Sequence, residues 1–330
     1  MKLVFVFIMF AKLTFAASPS VVIIGGGPAG LSSAIEAKQA GASVKVIEKR
    51  GAYEREQMLF LFEHSLDLLK KWKAAPAGLS VVGVGDRRIG FVQISELENA
   101  LLHRAKELGV EVIQDQFVGF SKKGRLARLK KTGSIPYDLL IAADGVHSLV
   151  RQSIGIELDR LSQGKAGAAF FLLGKDQPPN PIEVLPHVQH GSSFVRKFQF
   201  PELTLVFLQG PQSATKEDFI RLCKASGWDL QAKQVAANEA LLLLDVDVFL
   251  QRATRFSLKD RGVLLIGDAA ATGSFFRGKG ANYALESAEI AGRFFQTNDY
   301  ERFEVELNQA TDVLVEDNAF LFQHEESQQR

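Results

Sequence analysis

The residues Gly25-Gly26-Gly27-Pro28-Ala29-Gly30 carry the spacing G-x-G-x-x-G. Each glycine in that pattern meets a separate need. Gly25 permits a tight turn, Gly27 lets a pyrophosphate approach the backbone, and Gly30 allows a helix to pack closely on a strand. A helix opening at Pro28 would turn free N–H groups and a positive dipole end toward phosphate. Glu48 follows at the end of the next apolar run, where a carboxylate can accept from ribose hydroxyls. A bare glycine-rich turn is the competing reading. It is weakened by the strand before the motif, the helix after it and the placement of Glu48.

Two more stretches carry chemistry. Asp138 through Arg151 reads DLLIAADGVHSLVR, a buried run ending in Asp144-Gly145 with Ser148 and Arg151 beyond. Leu264 through Ala270 reads LLIGDAA, a second apolar run ending in Gly267-Asp268. A strand that ends in Gly-Asp places one carboxylate acceptor at its tip. Gly278, Gly280 and Asn282 follow in the string GKGAN.

Together these stretches resemble the flavoprotein aromatic hydroxylases, the p-hydroxybenzoate hydroxylase class, in the family's order and over residues 21–150 and 255–296. The resemblance implies FAD as cofactor and NADH or NADPH as co-substrate. It places Asp144 and Gly145 near the FAD pyrophosphate and the nicotinamide path, and Asp268 on the ribityl chain. Arg55 matches the family's FAD-contacting arginine. The loop and helix start at Gly278, Gly280 and Asn282 would face the flavin ring, where backbone N–H groups stabilise negative charge on the reduced ring. The implied reaction is monooxygenation: the nicotinamide reduces the flavin, O2 adds at C4a, and the hydroperoxide oxygenates a substrate. The cofactor carries that chemistry, so no acid–base residue is named. A looser likeness, over Glu48 to Leu69 and Gly83 to Leu102, is to the monooxygenase domain of the MICAL proteins, which oxidise methionine in a protein partner. A small-molecule substrate is expected, with a protein substrate as the second option. The alternatives are a reductase or dehydrogenase on the same scaffold and a flavin-binding protein without turnover.

The sequence departs from the family in places. Ala271 stands where a histidine is usual, Phe275 where a proline is usual, and no arginine stands near Ser95. These changes bear on the substrate side more than on FAD. Phe60, Phe62, Phe275 and Phe276 are candidates to wall a flavin or substrate pocket, with core packing as the default for each.

The elements that must position these residues follow from the hydrophobic pattern. Strands are expected over 21–24 and 43–48 with a helix over Pro28–Ala40 between them, a βαβ unit. Helices are expected over 55–73, 95–108, 215–226, 228–243, 282–296 and 299–322. Strands are expected over 111–113, 117–120, 137–143, 166–174, 192–200, 202–209 and 262–267, with a hairpin arm over 125–131. The expected fold class is α/β: a doubly wound, Rossmann-like FAD-binding domain over 18–160 and 255–330. A smaller, mostly antiparallel α+β substrate domain is inserted over 161–254.

Composition limits the rest. The 330 residues are 46% hydrophobic and carry a net charge of +1, with 39 Lys and Arg against 38 Asp and Glu. No global field draws nucleic acid or an anionic membrane. One cysteine, Cys223, allows no internal disulfide. His187 and His190 lack the further ligands that a metal site needs, so no metal is expected. The basic run Lys122 to Lys131 reads as a solvated hairpin, with a docking patch for an acidic partner as the alternative. Residues 1–17, MKLVFVFIMFAKLTFAA, resemble a secretory signal. An uncleaved membrane-associating segment and a misassigned start are the other readings. Export or membrane association follows from the first two and a cytoplasmic place from the third. A signal would carry the chain away from the NAD(P)H pool. Residues 1–17 are too short to span a bilayer comfortably, and the rest of the chain holds no run long and apolar enough.

Overall fold

A computed structural model describes residues 18–84, 86–172, 183–185, 187–200, 203–274, 278–319 and 321. The signal-like segment 1–17, the Pro-rich loop at 178–181, and Phe275 and Phe276 lie outside the described residues.

The chain begins with strand β1 (Ser20–Ile24), helix α1 (Pro28–Gln39) and strand β2 (Ser43–Glu48). Val21 to Ile24 are all buried, as a strand covered on both faces requires. Pro28 fits the first helical turn, where its missing N–H is no loss. The helix ends at Ala40, and Gly41 takes the left-handed conformation, φ +90°, that lets the chain reverse.

β1 lies at the heart of a six-stranded sheet. Its other members are β6 (Glu111–Gln114), β10 (Leu139–Ala142), β17 (Ser257–Leu258) and β18 (Val263–Leu265). The order is β17-β18-β10-β1-β2-β6. All pairs are parallel except β17 with β18. Helix α3 (Ile94–Glu107) and helix α7 (Lys279–Thr297) flank α1 on the sheet, and α8 (Tyr300–Ala319) packs on α7. This is the doubly wound α/β arrangement expected from the motifs.

A second sheet is antiparallel at every pairing among the described residues. It contains β11 (Leu158–Leu172), β12 (Glu183–Val184), β13 (Val188–His190), β14 (Ser193–Phe200), β15 (Leu203–Gly210), β16 (Leu241–Ala253) and β19 (Ala271–Thr272). Its main path runs β12-β14-β15-β11-β16-β19. Helices α5 (Lys216–Ala225) and α6 (Asp229–Ala236) cover one face, burying Phe219, Leu222 and Val235 against Val195, Val206 and Leu208. The other face meets a three-stranded sheet of β3 (Met58–Phe62), β4 (Ser80–Val84) and β5 (Arg87–Gln93). There Phe60 stacks on Phe198 with centroids 4.3 Å apart, and Phe91 and Phe207 meet it edge-on. Phe60 is thus a core residue between sheets. Strands β7 (Phe117–Phe120), β8 (Leu126–Leu129) and β9 (Gly133–Pro136) form a small meander, and α4 (Leu149–Ser153) follows β10.

Three expectations need correction. Residues 55–73 are not one helix: β3 occupies 58–62, and helix α2 (Glu63–Trp72) starts after it. The run Met58-Leu59-Phe60-Leu61-Phe62 pairs residue for residue with β5, and that pairing overrides its helical reading. The helix expected over 228–243 stops at Ala236, with Asn238 in the left-handed region. Leu241 to Leu243 instead pair with Ala168 to Phe170 of β11. The hairpin β4–β5 was not foreseen, and β11 begins eight residues before the expected strand at 166.

The basic run folds as the expected hairpin. Arg125 donates to the carbonyls of Asp138 and Lys259, and the Lys131 amide donates to Asp115. His190 shares a hydrogen bond with Ser226, and no metal-binding group of three ligands exists among the described residues. No helix among them is long and apolar enough to cross a membrane.

Candidate functional site

Parallel pairing decides where the motifs go. β2, β1, β10 and β18 are consecutive neighbours running in one direction, so Glu48, Gly25, Asp144 and Gly267 all emerge at the same carboxyl edge. That edge is the ligand crevice of open α/β sheets.

The turns there are packed against one another. The Gly25 amide donates to Ile47 O at 2.9 Å, and the Ala143 amide to Ile24 O at 2.8 Å. Gly25 holds φ +105°, and a Cβ built on it would stand 2.2 Å from Ala143 O. A Cβ on Gly30 would stand 1.9 Å from Gly25 O, so the start of α1 lies directly on the turn. Gly27 differs: a Cβ there would meet only Glu98 Oε1, at 3.9 Å, among the described residues. Among the described residues nothing demands glycine at 27, and the space over it is open. α1 begins there with no side-chain cap, so its first N–H groups face that space.

Glu48 is buried and fully engaged. Oε2 accepts from the Gly26 amide at 2.7 Å, and Oε1 from the Arg50 amide at 2.8 Å; the Arg50 guanidinium bonds both oxygens. Burial opposes its charge, but the Arg50 bonds and the Gly26 amide outweigh it and hold the carboxyl below its ordinary value. A carboxylate has about four acceptor positions. Any further donor at Glu48 would therefore have to displace one of these. Tyr53 donates to Gly26 O at 2.6 Å, and Arg50 lies over its ring. Arg55 reaches the same corner and makes a close ion pair with Glu98, on the buried face of α3.

On the other side of Gly25, Asp144 accepts from Ser148 Oγ and the Val150 amide. Burial raises its carboxyl, and these donors bring it part way back. Gly145 holds φ +84° with open space around it. Arg151 is buried and donates to Ala269 O at 2.9 Å, tying the Asp144 loop to the Gly267-Asp268 loop. Gly267 holds φ +54°, and a Cβ on it would stand 2.7 Å from Ala29. Asp268 makes no hydrogen bond among the described residues. It is open to solvent on one side while protein crowds the others. That crowding pushes its carboxyl up to about 6, and Arg55 draws it back only in part.

The last motif caps α7. Gly278 takes φ +65° as N-cap, and Gly280 faces open space. The Asn282 side chain turns into the protein: its oxygen accepts from the Phe62 amide and Ser65, and its nitrogen donates to Phe60 O and Gly278 O. It therefore clamps α7 to β3, and only its backbone is left to face a ligand. Beside α4, Val146, His147, Arg151, Gln152, Arg160 and Phe249 line a cleft of about 540 Å³.

The geometry gathers Gly25, Gly27, Gly30, Glu48, Arg55, Asp144, Gly145, Gly267 and Asp268 around one crevice. It adds Arg50, Tyr53 and Glu98, which sequence reasoning missed. Glu98 could have been found. It is an acid within the apolar stripe Ile94, Leu97, Leu101 and Ala105 of α3. The open space over Gly27, the uncapped helix start and the unbonded Asp268 carboxyl fit a dinucleotide with a polyol chain.

Comparison with known proteins agrees with this geometry. The family described as pyridine nucleotide-disulphide oxidoreductase matches residues 19–67, and the FAD binding domain family matches residues 63–294. [F-actin]-monooxygenase Mical of Drosophila melanogaster is 26% identical over 308 residues, covering 88% of this chain and 6% of that protein. The chain spans less than a tenth of the length of the first MICAL relatives it matches. A probable 2-heptyl-3-hydroxy-4(1H)-quinolone synthase of Rhodococcus erythropolis is 22% identical over 300 residues, covering 82% of this chain and 77% of that one. Among solved structures, the tetrameric form of 2-methyl-3-hydroxypyridine-5-carboxylic acid oxygenase aligns with a TM-score of 0.65 at 20% identity. It covers 90% of this chain and 87% of that one. With the FAD binding domain match spanning more than two thirds of its length, the chain belongs to the FAD binding domain family of FAD-dependent oxidoreductases.

Proposed function

We propose that this protein is an FAD-dependent monooxygenase that uses NADH or NADPH and O2. One observation carries the reading. Loops from four adjacent parallel strands meet at one crevice, with open space over Gly27 and, among the described residues, no hydrogen bond on the Asp268 carboxylate. In this reading Gly25, Gly27 and Gly30, with the start of α1, receive the diphosphate. Glu48 holds the adenosine ribose, and Arg55 and Asp268 hold the FAD chain. Asp144 and Gly145 line the approach, and the backbone at Gly278, Gly280 and Asn282 faces the ring. When bound, FAD supplies electron transfer from NADH or NADPH to O2, with one oxygen atom going to substrate and the other leaving as water. The cleft beside α4 is the place for the nicotinamide in this reading: Arg160 and His147 offer donors to a second diphosphate, with Glu157 on the same lining and Arg151 already bonded to Ala269 O and Val146 O. The strands between 161 and 254 would present the substrate side. The relatives' names supply both a protein and small aromatic compounds as precedents for the substrate.

The test is the absorbance spectrum of the purified protein with and without added FAD, followed by oxidation of NADH and NADPH. Bound flavin that either nicotinamide reduces, with oxygen from isotopic O2 in a product, is the expected result. Protein that never takes up flavin would sink the reading. Flavin reduction with no oxygen transfer to any substrate would favour a reductase or dehydrogenase.

A further inference from the structure

Glu98 is a fully buried acid that the proposed chemistry does not use. It sits on α3 beneath the glycine turn, with Oε1 bonded to Arg50 at 3.3 Å and in close contact with Arg55. Its other oxygen, Oε2, is buried with no hydrogen-bond partner among the described residues. A buried carboxylate with one bare oxygen is a poor permanent bridge, since an unmet acceptor carries its full desolvation cost. The carboxylate also stands 3.9 Å from where a methyl on Gly27 would lie, shut off from solvent beneath the turn.

We infer that Glu98 stands in for the cofactor diphosphate: it holds Arg50 and Arg55 until FAD arrives, and then competes with FAD for them. The inference rests on the FAD reading above. A diphosphate drawn to the Gly27 turn comes within a few ångströms of Glu98 Oε1, and two anions that close repel in a dry site. The arginine fork suits phosphate as well as carboxylate, so the same guanidinium groups can pass from one to the other. Two consequences follow. Without flavin, Glu98 stabilises the protein by pairing two arginines. With flavin, it weakens the cofactor's hold and keeps FAD exchangeable.

The experiment compares wild type and Glu98→Gln by FAD titration and by melting with and without saturating FAD. Glu98→Gln keeps the shape and removes the charge. It should tighten FAD by about tenfold or more, lower the melting temperature of the flavin-free protein, and leave that of the flavin-bound protein near wild type. A merely structural ion pair predicts otherwise: lower stability in both forms and no tighter binding. FAD bound by wild type with equal or weaker binding by Glu98→Gln overturns the inference and leaves the FAD reading intact. Failure of both proteins to bind FAD overturns both. Tight binding by Glu98→Gln alone would support the competition strongly. If Glu98→Gln does not fold, Glu98→Asp keeps the charge but lacks the reach to bridge both arginines. It must then bind FAD more tightly than wild type, and unchanged or weaker binding overturns the inference.

Discussion

Gly27 and Gly30 share one motif and answer to different constraints. A methyl at 30 would drive into Gly25 O, while a methyl at 27 meets open space on an ordinary backbone, φ −77°. Gly30→Ala should therefore fail to fold or melt far below wild type. Gly27→Ala should melt like the flavin-free wild type but bind FAD at least about tenfold more weakly. Circular dichroism melting with a flavin fluorescence titration separates the two. Asp268 gives a prediction in pH. Its carboxyl sits near 6 in the fold against an ordinary value of 3.8, so the folded state binds the extra proton between those values. Its contribution to stability is complete below about pH 4 and is lost as pH rises through 6. Asp268→Asn should flatten that part of the flavin-free stability profile. FAD hydroxyls donating to the carboxylate favour the anion, so FAD binding should tighten as pH rises through 6 in wild type and lose that dependence in Asp268→Asn. The spacing rule already gave Gly25, Gly27 and Gly30 separate tasks; what it could not show is the packing itself, Ala143 O against Gly25, Gly25 O against Gly30 and open space at Gly27. Glu48 was legible as an acid at a strand end. That Arg50 already occupies its acceptor positions was not, because side-chain pairing depends on how the chain leaves the strand.

At the scale of elements, Asn282 shows how a helix start is fixed. Its amide makes four hydrogen bonds, of which three join α7 to β3 and α2 and one closes on its own N-cap, Gly278. Asn282→Ala leaves buried backbone groups of Phe60 and Phe62 without their partner. It should cost about 2–3 kcal/mol in urea unfolding, and FAD affinity should fall with it as the α7 N-terminus loosens. The elements that sequence patterning located well were those with one strong local signal, such as β1 between a short apolar run and glycines, or α1 between Pro28 and Gly41. It failed at 55–73 and 228–243. Met58 to Phe62 and Leu241 to Leu243 are apolar runs without a clear period, and they become strands because β5 and β11 lie ready to pair with them.

For the molecule as a whole, the crevice is assembled from turns some 240 residues apart in sequence, at Gly25 and Asp268. A ligand that binds only the assembled form stabilises it by mass action. FAD at a hundred times its dissociation constant should add about 2.7 kcal/mol, seen as a rise in melting temperature. Asp268→Ala should bind FAD too weakly to show that rise at the same concentration. By itself the amino-acid sequence pointed to a phosphate-bearing ligand, through the glycine spacing in its strand and helix context, and to FAD, through the resemblance carried by the Asp-Gly and Gly-Asp strand ends. Only the tertiary structure decided that these patterns share one crevice, that Asn282 turns inward, and that Glu98 holds the arginines. Such facts depend on strand order and on burial, and neither is encoded within any single stretch of chain.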